Sequence, residues 1–372
     1  IPIEEQISAN LDLRGYKELT PIQNEIIKNE ATGRDALVSA PTGSGKTIAF
    51  GLSIASNIPN KNPNNRFSKL SSVLIIAPTR ELALQVQNEL EWLYSKTNVF
   101  IVSCVGGMDM RAEKRKLKKY PDIILGTPGR LKDYLEREVI NLSKIKVVVL
   151  DEADEMLNLG FRKELEYILS QTPKEKRTLL FSATISKGIE KLASKYQNNA
   201  LRISTTRNNN QHLDIEYQAI KTSSRNMEYV IMNILRYNEA KTSLVFCGTR
   251  ANVNHLTSRL NNRGFSVVSI SGELSQKERL NALRSMKSGH SNVCVATDVA
   301  ARGIDLPNLD LVIHADLPKT KESLVHRSGR TGRAGKKGIS ILVVPQDKSI
   351  QIQRLLDKSK INGIKTKIPP AG

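Results

Sequence analysis

The stretch Ala36–Thr47, ALVSAPTGSGKT, decides the fold of this 372-residue chain. Its first four residues predict a buried strand, its glycines a tight loop, and the apolar residues after it a helix. Such a loop turns backbone N–H groups inward, and the start of the following helix adds a partial positive charge. The stretch therefore predicts a nucleotide phosphate site, in which Lys46 reaches the β- and γ-phosphates and Thr47 ligates Mg²⁺.

An acidic pair that follows another apolar strand complements this loop. Val147–Leu150 leads directly into Asp151 and Glu152, and burial of two carboxylates there needs a reason. Asp151 is expected to hold Mg²⁺, and Glu152 is expected to polarise the water that attacks the γ-phosphate. Asp154, in the same cluster, has the pattern of a solvated helix start. The pair predicts nucleotide hydrolysis.

Short β-branched runs alternate with segments of helical spacing along the whole chain. The runs of the first half are Ala36–Ser39, Val73–Ala77, Val99–Val105, Ile123–Leu125, Val147–Leu150 and Thr178–Phe181. Those of the second half are Ser243–Phe246, Val267–Ile270, Val293–Ala296, Leu311–His314 and Ile339–Val344. Segments such as Glu81–Tyr94 and Asn252–Asn262 lie between them. Continuous apolar strands separated by helices predict an α/β fold with mostly parallel sheets flanked by helices.

The length of the chain exceeds what one hydrophobic core usually supports, so two domains are expected. The polar stretch Thr205–Gln211 has no periodicity and predicts a linker. We therefore expect a first domain over residues 1–204, a linker over 205–213 and a second domain over 214–372.

The charge balance favours a polyanionic partner. Lys and Arg number 56 against 37 Asp and Glu, which gives a net charge of +19. Residues 204–372 carry +13 of this excess and residues 1–203 carry +6. Nucleic acid is the commonest polyanion that such a surface binds. A membrane is not expected, because no apolar run approaches the roughly 20 residues needed to span one.

The three cysteines, Cys104, Cys247 and Cys294, lie far apart, each in an apolar run. No pair has metal-ligand spacing. They are expected to be buried strand residues in a reducing compartment.

Polar clusters follow six of the predicted strands. They contain Pro78, Thr79, Arg80, Gly107, Thr127 and Arg130 in the first half, and Thr249, Arg250, Gly272, Thr297 and Asp298 in the second. Each cluster alone is also typical of an N-cap or a turn. Because ligands of open α/β sheets bind at the carboxyl edge, six clusters on matching edges predict a continuous track for a nucleic-acid backbone. Aromatic residues make up only 5% of the chain, so binding is expected to ignore base sequence and to weaken with salt.

The segment Ser323–Arg333 places Arg327, Arg330 and Arg333 three residues apart with glycines between them. A solvated basic loop would look the same. Arginines from a second domain neutralise charge on a transferring phosphoryl group, an effect worth about 10³–10⁵ in some enzymes. In that role they would tie hydrolysis to closure of the two halves.

Taken in order, these motifs closely resemble the DEAD-box ATP-dependent RNA helicases, over nearly the whole chain. The matching segments are Ala40–Thr47, Pro78–Ala83, Thr127–Arg130, Asp151–Asp154, Ser182–Thr184, Ala296–Asp305 and His326–Arg333. Gly15-Tyr16 with Thr20–Gln23 resembles the family's adenine-reading segment. The resemblance implies two RecA-like domains, ATP with Mg²⁺, and RNA as the nucleic acid.

The resemblance also implies a role for each matching residue. Gln23 would hydrogen-bond adenine and Asp305 would contact the ribose. The implied ATP site comprises Thr20, Gln23, Thr42, Gly43, Ser44, Gly45, Lys46, Thr47, Asp151, Gly303 and Asp305. The implied catalytic residues are Lys46, Glu152, Arg330 and Arg333. The residues implied in coupling between domains are Ser182, Thr184, His326 and Arg327.

The implied protein is a monomeric cytoplasmic core that unwinds short RNA duplexes, in ribosome assembly or RNA turnover. Two alternatives stay open: an RNA clamp that seldom unwinds, and a DNA helicase. The sequence departs from the family where Ser328 replaces a commoner aliphatic residue. The family's adenine-stacking aromatic residue would lie upstream of Ile1.

Overall fold

The strands form two separate sheets in the computed structural model, which describes residues 3–28, 33–40, 43–58, 71–204, 215–272, 274–301, 306, 309–332 and 336–359. The chain divides into two compact units, Ile1–Arg207 (unit 1) and Asn208–Gly372 (unit 2). The predicted linker, 205–213, lies outside the described residues.

Unit 1 is a seven-stranded sheet with helices. Its strands are β1 Ala36–Ser39, β2 Val73–Ile76, β3 Ile101–Cys104, β4 Ile123–Gly126, β5 Val147–Leu150, β6 Arg177–Ser182 and β7 Leu201–Ser204. Its helices are α1 Ile3–Leu13, α2 Pro21–Ile27, α3 Lys46–Ile54, α4 Arg80–Leu93, α5 Met110–Leu117, α6 Pro128–Glu136, α7 Ala153–Asn158, α8 Arg162–Ser170 and α9 Lys187–Tyr196. The strand order is β3-β4-β2-β5-β6-β1-β7.

Unit 2 is a six-stranded sheet with helices. Its strands are β8 Ile215–Thr222, β9 Ser243–Cys247, β10 Val267–Ile270, β11 Val293–Thr297, β12 Leu311–His314 and β13 Gly338–Pro345. Its helices are α10 Met227–Asn238, α11 Arg250–Asn261, α12 Gln276–Lys287, α13 Asp298–Ala301, α14 Lys321–Ser328 and α15 Ser349–Ser359. The strand order is β10-β11-β9-β12-β13-β8. Within the described residues, no helix is long and apolar enough to cross a membrane.

Every strand pairing in the described sheets is parallel, which confirms the predicted α/β class. Strand β2 shows why its sequence is a continuous apolar run. Val73 and Ile75 pack into one hydrophobic cluster, whereas Leu74 and Ile76 pack into another on the opposite face. Because successive side chains point to opposite faces, a strand covered by helices on both sides must be apolar throughout.

Strands β7 and β8 were not predicted. Each lies at one end of its sheet. Their sequences, LRIS and IEYQAIKT, alternate apolar and polar residues, since an edge strand is less completely covered. Both strands also adjoin the polar stretch that predicts the linker. Their alternating pattern was therefore not recognised as that of strands.

The cysteines lie in buried strands, as predicted. Cys104 and Cys247 end β3 and β9, Cys294 lies within β11, and all three are buried and free of disulfides. Burial raises the pKa of the Cys247 and Cys294 thiols to about 12. A thiol of that kind is a packing residue, because its reactive thiolate is scarcely populated.

Candidate nucleotide and nucleic-acid sites

The strand order of unit 1 places the two predicted sites side by side on one edge of the sheet. The adjacent strands β1, β6 and β5 end in the phosphate loop, Ser182 and Asp151. The adjacent strands β2, β4 and β3 end near Thr79, Thr127 and Gly107. Since parallel strands end at a common edge, the predicted phosphate ligands and the predicted backbone ligands are direct neighbours.

The phosphate loop has the backbone shape that its glycines predict. Gly43 and Gly45 adopt positive φ of 82° and 85°, and Gly45 is the N-cap of α3. Lys46 opens that helix and is buried, and its Nζ donates a hydrogen bond to Ala40 O at 3.1 Å. The ammonium is thus held over the loop, where it can meet a phosphate. Thr42 lies outside the described residues.

The predicted adenine-reading segment is bonded directly to the phosphate loop. Thr20 caps α2, and its hydroxyl donates to Ser44 O at 3.1 Å. Gln23 is buried: its Oε1 accepts from Thr20 N at 2.9 Å, and its Nε2 donates to Gly45 O at 3.3 Å. The segment and the loop therefore form one unit. The reading of adenine by Gln23 stays a prediction.

Asp151 is a buried carboxylate beside the phosphate-loop lysine. It is 2% exposed, and its Oδ1 accepts from Glu152 N at 3.0 Å. Burial raises the pKa of the Asp151 carboxyl, and the nearby Lys46 opposes part of that rise. A buried carboxylate favours a cation that compensates its charge.

The residues present fit Mg²⁺. The Asp151 carboxylate and the Thr47 hydroxyl are hard oxygen ligands, which this ion prefers. Within the described part of the chain, no three His, Cys, Asp or Glu side chains form a metal-binding group. Mg²⁺ usually takes only one or two carboxylates, with water and phosphate oxygens as its other ligands.

Glu152 has a strained backbone. Its φ and ψ are +48° and +52°, in the left-handed region that non-glycine residues seldom adopt. The residue is the N-cap of α7, yet its side chain makes no capping hydrogen bond. Such strain costs about 1–3 kcal/mol and concentrates at functional sites. This observation supports the catalytic role predicted for Glu152.

Asp154 is not the solvated helix start that its sequence pattern suggests. It is 3% exposed, and its Oδ2 accepts hydrogen bonds from the amide and hydroxyl of Thr184. The Ser182 hydroxyl donates to Thr184 O at 2.7 Å. Ser182 and Thr184 are thereby fixed to the acidic segment inside unit 1, which leaves their predicted interdomain coupling as a proposal.

Arg80 and Gly107 meet across the predicted backbone track of unit 1. The Thr79 hydroxyl caps α4 by accepting from Leu82 N at 3.3 Å, and Arg80 is the first residue of that helix. A Cβ on Gly107 would collide with the Arg80 guanidinium. The arginine therefore reaches past β4 to the loop after β3. Pro78, just before Thr79, is buried.

The same arrangement recurs in unit 2. The Thr249 hydroxyl caps α11 by accepting from Asn252 N at 3.1 Å, and Arg250 is the first residue of α11. A Cβ on Gly272 would lie 3.2 Å from Nη2 of Arg250. Both units thus place a capping threonine, an arginine and a glycine at the carboxyl ends of equivalent strands. The repetition supports the predicted phosphate-binding track.

Arg130 takes part in an ion pair that the sequence did not predict. Its side chain is 10% exposed, and its Nη1 lies 3.5 Å from Oε2 of the buried Glu113 and 3.1 Å from the Tyr134 hydroxyl. Its charge is therefore compensated within the fold, and its predicted RNA contact stays a prediction. Glu113 was missed, although its spacing to Leu117 indicates a carboxylate on the inward face of α5. Thr127 is half-buried and makes no capping hydrogen bond with its side chain.

Arg327 and Asp298 also bind each other. Two guanidinium nitrogens of Arg327 each lie 2.6 Å from a carboxylate oxygen of Asp298, and Nη1 donates to Asp316 O at 2.6 Å. Arg327 is 4% exposed and makes these contacts inside unit 2, and its predicted interdomain role stays a prediction. Asp298 orients Arg327, and its predicted RNA contact stays a prediction. Thr297 accepts from Ala300 N at 3.3 Å.

Asp316 was not predicted, and it shapes the loop after β9. Its Oδ2 accepts from Gly248 N at 2.6 Å and from Asn252 Nδ2 at 2.9 Å. The sequence signal that could have identified Asp316 is an acidic residue two positions after a buried strand. The carboxylate fixes the loop that precedes Thr249.

His326 and Arg330 line a small pocket of unit 2 with Phe246 and Ser323. The predicted ribose and finger residues Gly303, Asp305 and Arg333 lie outside the described residues.

Known proteins resemble the chain in both units. The family model "DEAD/DEAH box helicase" matches residues 20–192, and "Helicase conserved C-terminal domain" matches residues 225–335. The DEAD-box ATP-dependent RNA helicase CshA of Bacillus cereus is 38% identical over 95% of this chain and 66% of its own length. CshA of Listeria monocytogenes is 39% identical over 96% of this chain and 67% of its own length.

A solved structure extends the comparison. Saccharomyces cerevisiae Dbp5 bound to RNA and ADP BeF3 superposes with a TM-score of 0.84 at 26% identity, covering 98% of this chain and 93% of that one. The chain spans about two thirds of the length of the curated relatives it matches. With both family models in order and nearly its whole length aligned to CshA, the chain belongs to the DEAD-box ATP-dependent RNA helicase family.

Proposed function

We propose that this chain is the core of an ATP-dependent RNA helicase, in which RNA binding stimulates ATP hydrolysis. The observation that carries the proposal is the shared carboxyl edge of the unit 1 sheet. The ends of β1, β6 and β5 hold the phosphate loop and the acidic pair, and the ends of β2, β4 and β3 hold the predicted backbone ligands. The names of the relatives CshA and Dbp5 support RNA as the ligand.

Different residues of the site contribute different parts of ATP hydrolysis. Lys46 and the loop N–H groups bind the phosphates, and Glu152 orients and polarises the attacking water. Mg²⁺, held through Asp151 and Thr47, would supply positive charge on the transferring phosphoryl group. Glu152 suits its role because the first turn of α7 fixes its strained backbone. Arg330 and Arg333 stay the predicted arginine fingers.

RNA recognition is proposed to rest on phosphates and sugars. The threonine, arginine and glycine ligands recur at the carboxyl edges of both sheets. One RNA strand bound to both units would favour the closed state in which the fingers act. We propose a monomeric cytoplasmic core, with ribosome assembly or RNA turnover as its setting.

Glu152→Gln tests the hydrolytic assignment. The variant should bind ATP and RNA normally while RNA-stimulated turnover falls by about 10²-fold or more, since the general base is lost. Glu138→Gln is the matched control, because Glu138 is an exposed glutamate with a similarly positive φ of 53°. Loss of ATP binding in Glu152→Gln, or unchanged turnover, would remove Glu152 from this role.

Two assays separate the alternatives. Duplex unwinding and RNA lifetime, measured with ATP and with a non-hydrolysable analogue, distinguish a helicase from a clamp: a clamp holds RNA under ATP but leaves the duplex intact. If single-stranded DNA stimulated ATP hydrolysis as strongly as RNA, the RNA assignment would be wrong.

A further inference from the structure

Helix α5 carries an unusual density of positive charge. Residues 110–119 read MRAEKRKLKK, so six of ten residues are basic, against 56 of 372 in the whole chain. The one acidic residue, Glu113, is buried. Five of the six are exposed. Four of these, Arg111, Arg115, Lys118 and Lys119, lie opposite Glu113 and Leu117, on the helix or directly after its end.

Contacts within the described fold do not compensate the positive charge of these residues. Within the described part of the chain, none of the six basic side chains has an ion-pair partner. Arg111 and Arg115 are four residues apart, as are Arg115 and Lys119, and like charges at that spacing destabilise a helix. Basic residues near the helix end are favoured by the helix dipole, but Arg111 lies in the first turn, where the dipole disfavours it.

The helix is held rigidly beside the predicted backbone track. It begins three residues after Gly107, and its N-cap Asp109 accepts from Arg111 N at 2.8 Å. The Glu113 carboxylate accepts from Val105 N at 3.2 Å and from the Tyr134 hydroxyl at 2.5 Å. These hydrogen bonds attach α5 to the loop after β3 and to α6. The outer face of α5 therefore lies next to β3, the edge strand at which the predicted track ends.

We propose that the outer face of α5 binds the phosphate backbone of RNA that extends beyond Gly107. The inference rests on the proposed function, and it adds a binding surface outside the family's matching motifs. Its occupant is RNA because the surface is basic and is continuous with the Arg80–Gly107 contact. At a rise of 1.5 Å per residue, the eight residues of α5 span about 12 Å along the helix axis.

The experiment compares two charge-neutralised variants of the full chain. The test variant carries Arg111→Gln, Arg115→Gln, Lys118→Gln and Lys119→Gln. The control variant carries Lys144→Gln, Lys146→Gln, Lys174→Gln and Lys191→Gln, which remove the same charge from exposed lysines of unit 1 away from the track. Each protein binds a short RNA that just saturates ATPase stimulation, and the same RNA with a single-stranded tail on either side.

In the test variant, affinity for the short RNA should change less than twofold, whereas affinity for one tailed RNA should fall about tenfold or more. The slope of log affinity against log salt should decrease by about 0.7 for each phosphate that the protein no longer neutralises. Thermal melting should not occur at a lower temperature, because the substitutions remove repulsion. The control variant should lose neither tail-dependent affinity nor the salt slope attached to it.

Equal loss in both variants, or no loss in the test variant, would overturn the α5 site while leaving the proposed function intact. Unchanged binding of tailed RNA, together with lost binding to vesicles of anionic phospholipid, would assign the face to a membrane and also overturn it. Failure of the proposed function has a separate signature, namely no stimulation of ATP hydrolysis by any RNA in the unmodified protein.

Discussion

Thr184 donates two hydrogen bonds to the same carboxylate oxygen of Asp154, from its amide at 3.0 Å and from its hydroxyl at 2.8 Å. The other carboxylate oxygen accepts from Glu155 N at 3.1 Å. Asp154 therefore acts only as an acceptor, and it joins the start of α7 to the segment after β6.

Asp154→Asn should destabilise the protein by about 1–3 kcal/mol. Both carboxylate oxygens accept bonds from N–H groups, so whichever way the new amide turns, its NH₂ faces a donor and leaves a buried group unsatisfied. Urea denaturation followed by circular dichroism measures the effect. The control is Asp133→Asn, where a more exposed pair with Arg137 should change stability by less than about 0.5 kcal/mol. Equal effects at the two positions would contradict the assigned geometry.

The strained backbone of Glu152 predicts an inverted order of alanine and glycine. In the left-handed region a Cβ is unfavourable, so Glu152→Gly should be more stable than Glu152→Ala by about 1 kcal/mol. At the exposed helical position Lys191 the order should be the usual one, with alanine more stable by about 1 kcal/mol. Denaturant unfolding measures both pairs. Alanine more stable than glycine at both sites would rule out the strain.

The sequence predicted the strands of the fold more fully than the ion pairs and hydrogen bonds between charged side chains and distant residues. Strands β1 and β5 have the bounds expected, because a strand buried on both faces must be apolar from end to end. The partner of Arg130 could not be predicted, since Glu113 is 17 residues away and meets it only when α5 and α6 pack. The bond between Asp316 and Gly248 spans 68 residues and depends on β9 and β12 being neighbours.

The buried ion pair of Arg130 with Glu113 predicts that removal of the arginine destabilises the protein. Arg130→Ala leaves a buried carboxylate without its cation and should cost about 3 kcal/mol of stability. Adding Glu113→Gln should recover part of that loss, because the uncompensated charge is removed. A double-mutant cycle by urea denaturation measures the coupling. Full stability of Arg130→Ala with weakened RNA binding would instead favour the direct phosphate contact first predicted.

The close approach of Gly107 to Arg80 predicts a defect in RNA binding. Gly107→Ala combines a positive φ of 73° with a Cβ that collides with the guanidinium, so Arg80 must move. RNA affinity should fall about tenfold with little change in ATP affinity. Gly264→Ala is the control, because its φ is +82° and nothing lies within 4 Å of the added Cβ. Gly264→Ala should lose about as much stability as Gly107→Ala but should keep its RNA affinity. Equal RNA affinities in the two variants would exclude the Arg80 contact.

The buried thiol of Cys294 predicts a loss of stability in alkali. Burial raises its pKa from 9.0 to about 12, so between these values the unfolded chain releases a proton that the folded chain keeps. Because the folded state binds more protons, stability falls as pH rises, by about 1.4 kcal/mol per pH unit for this thiol. Cys294→Ala removes the group, and its stability should fall less steeply with pH by about that amount. Urea denaturation of both proteins from pH 8 to about pH 11 measures the difference in slope. Identical slopes would show that Cys294 is not shielded from ionisation in the folded state.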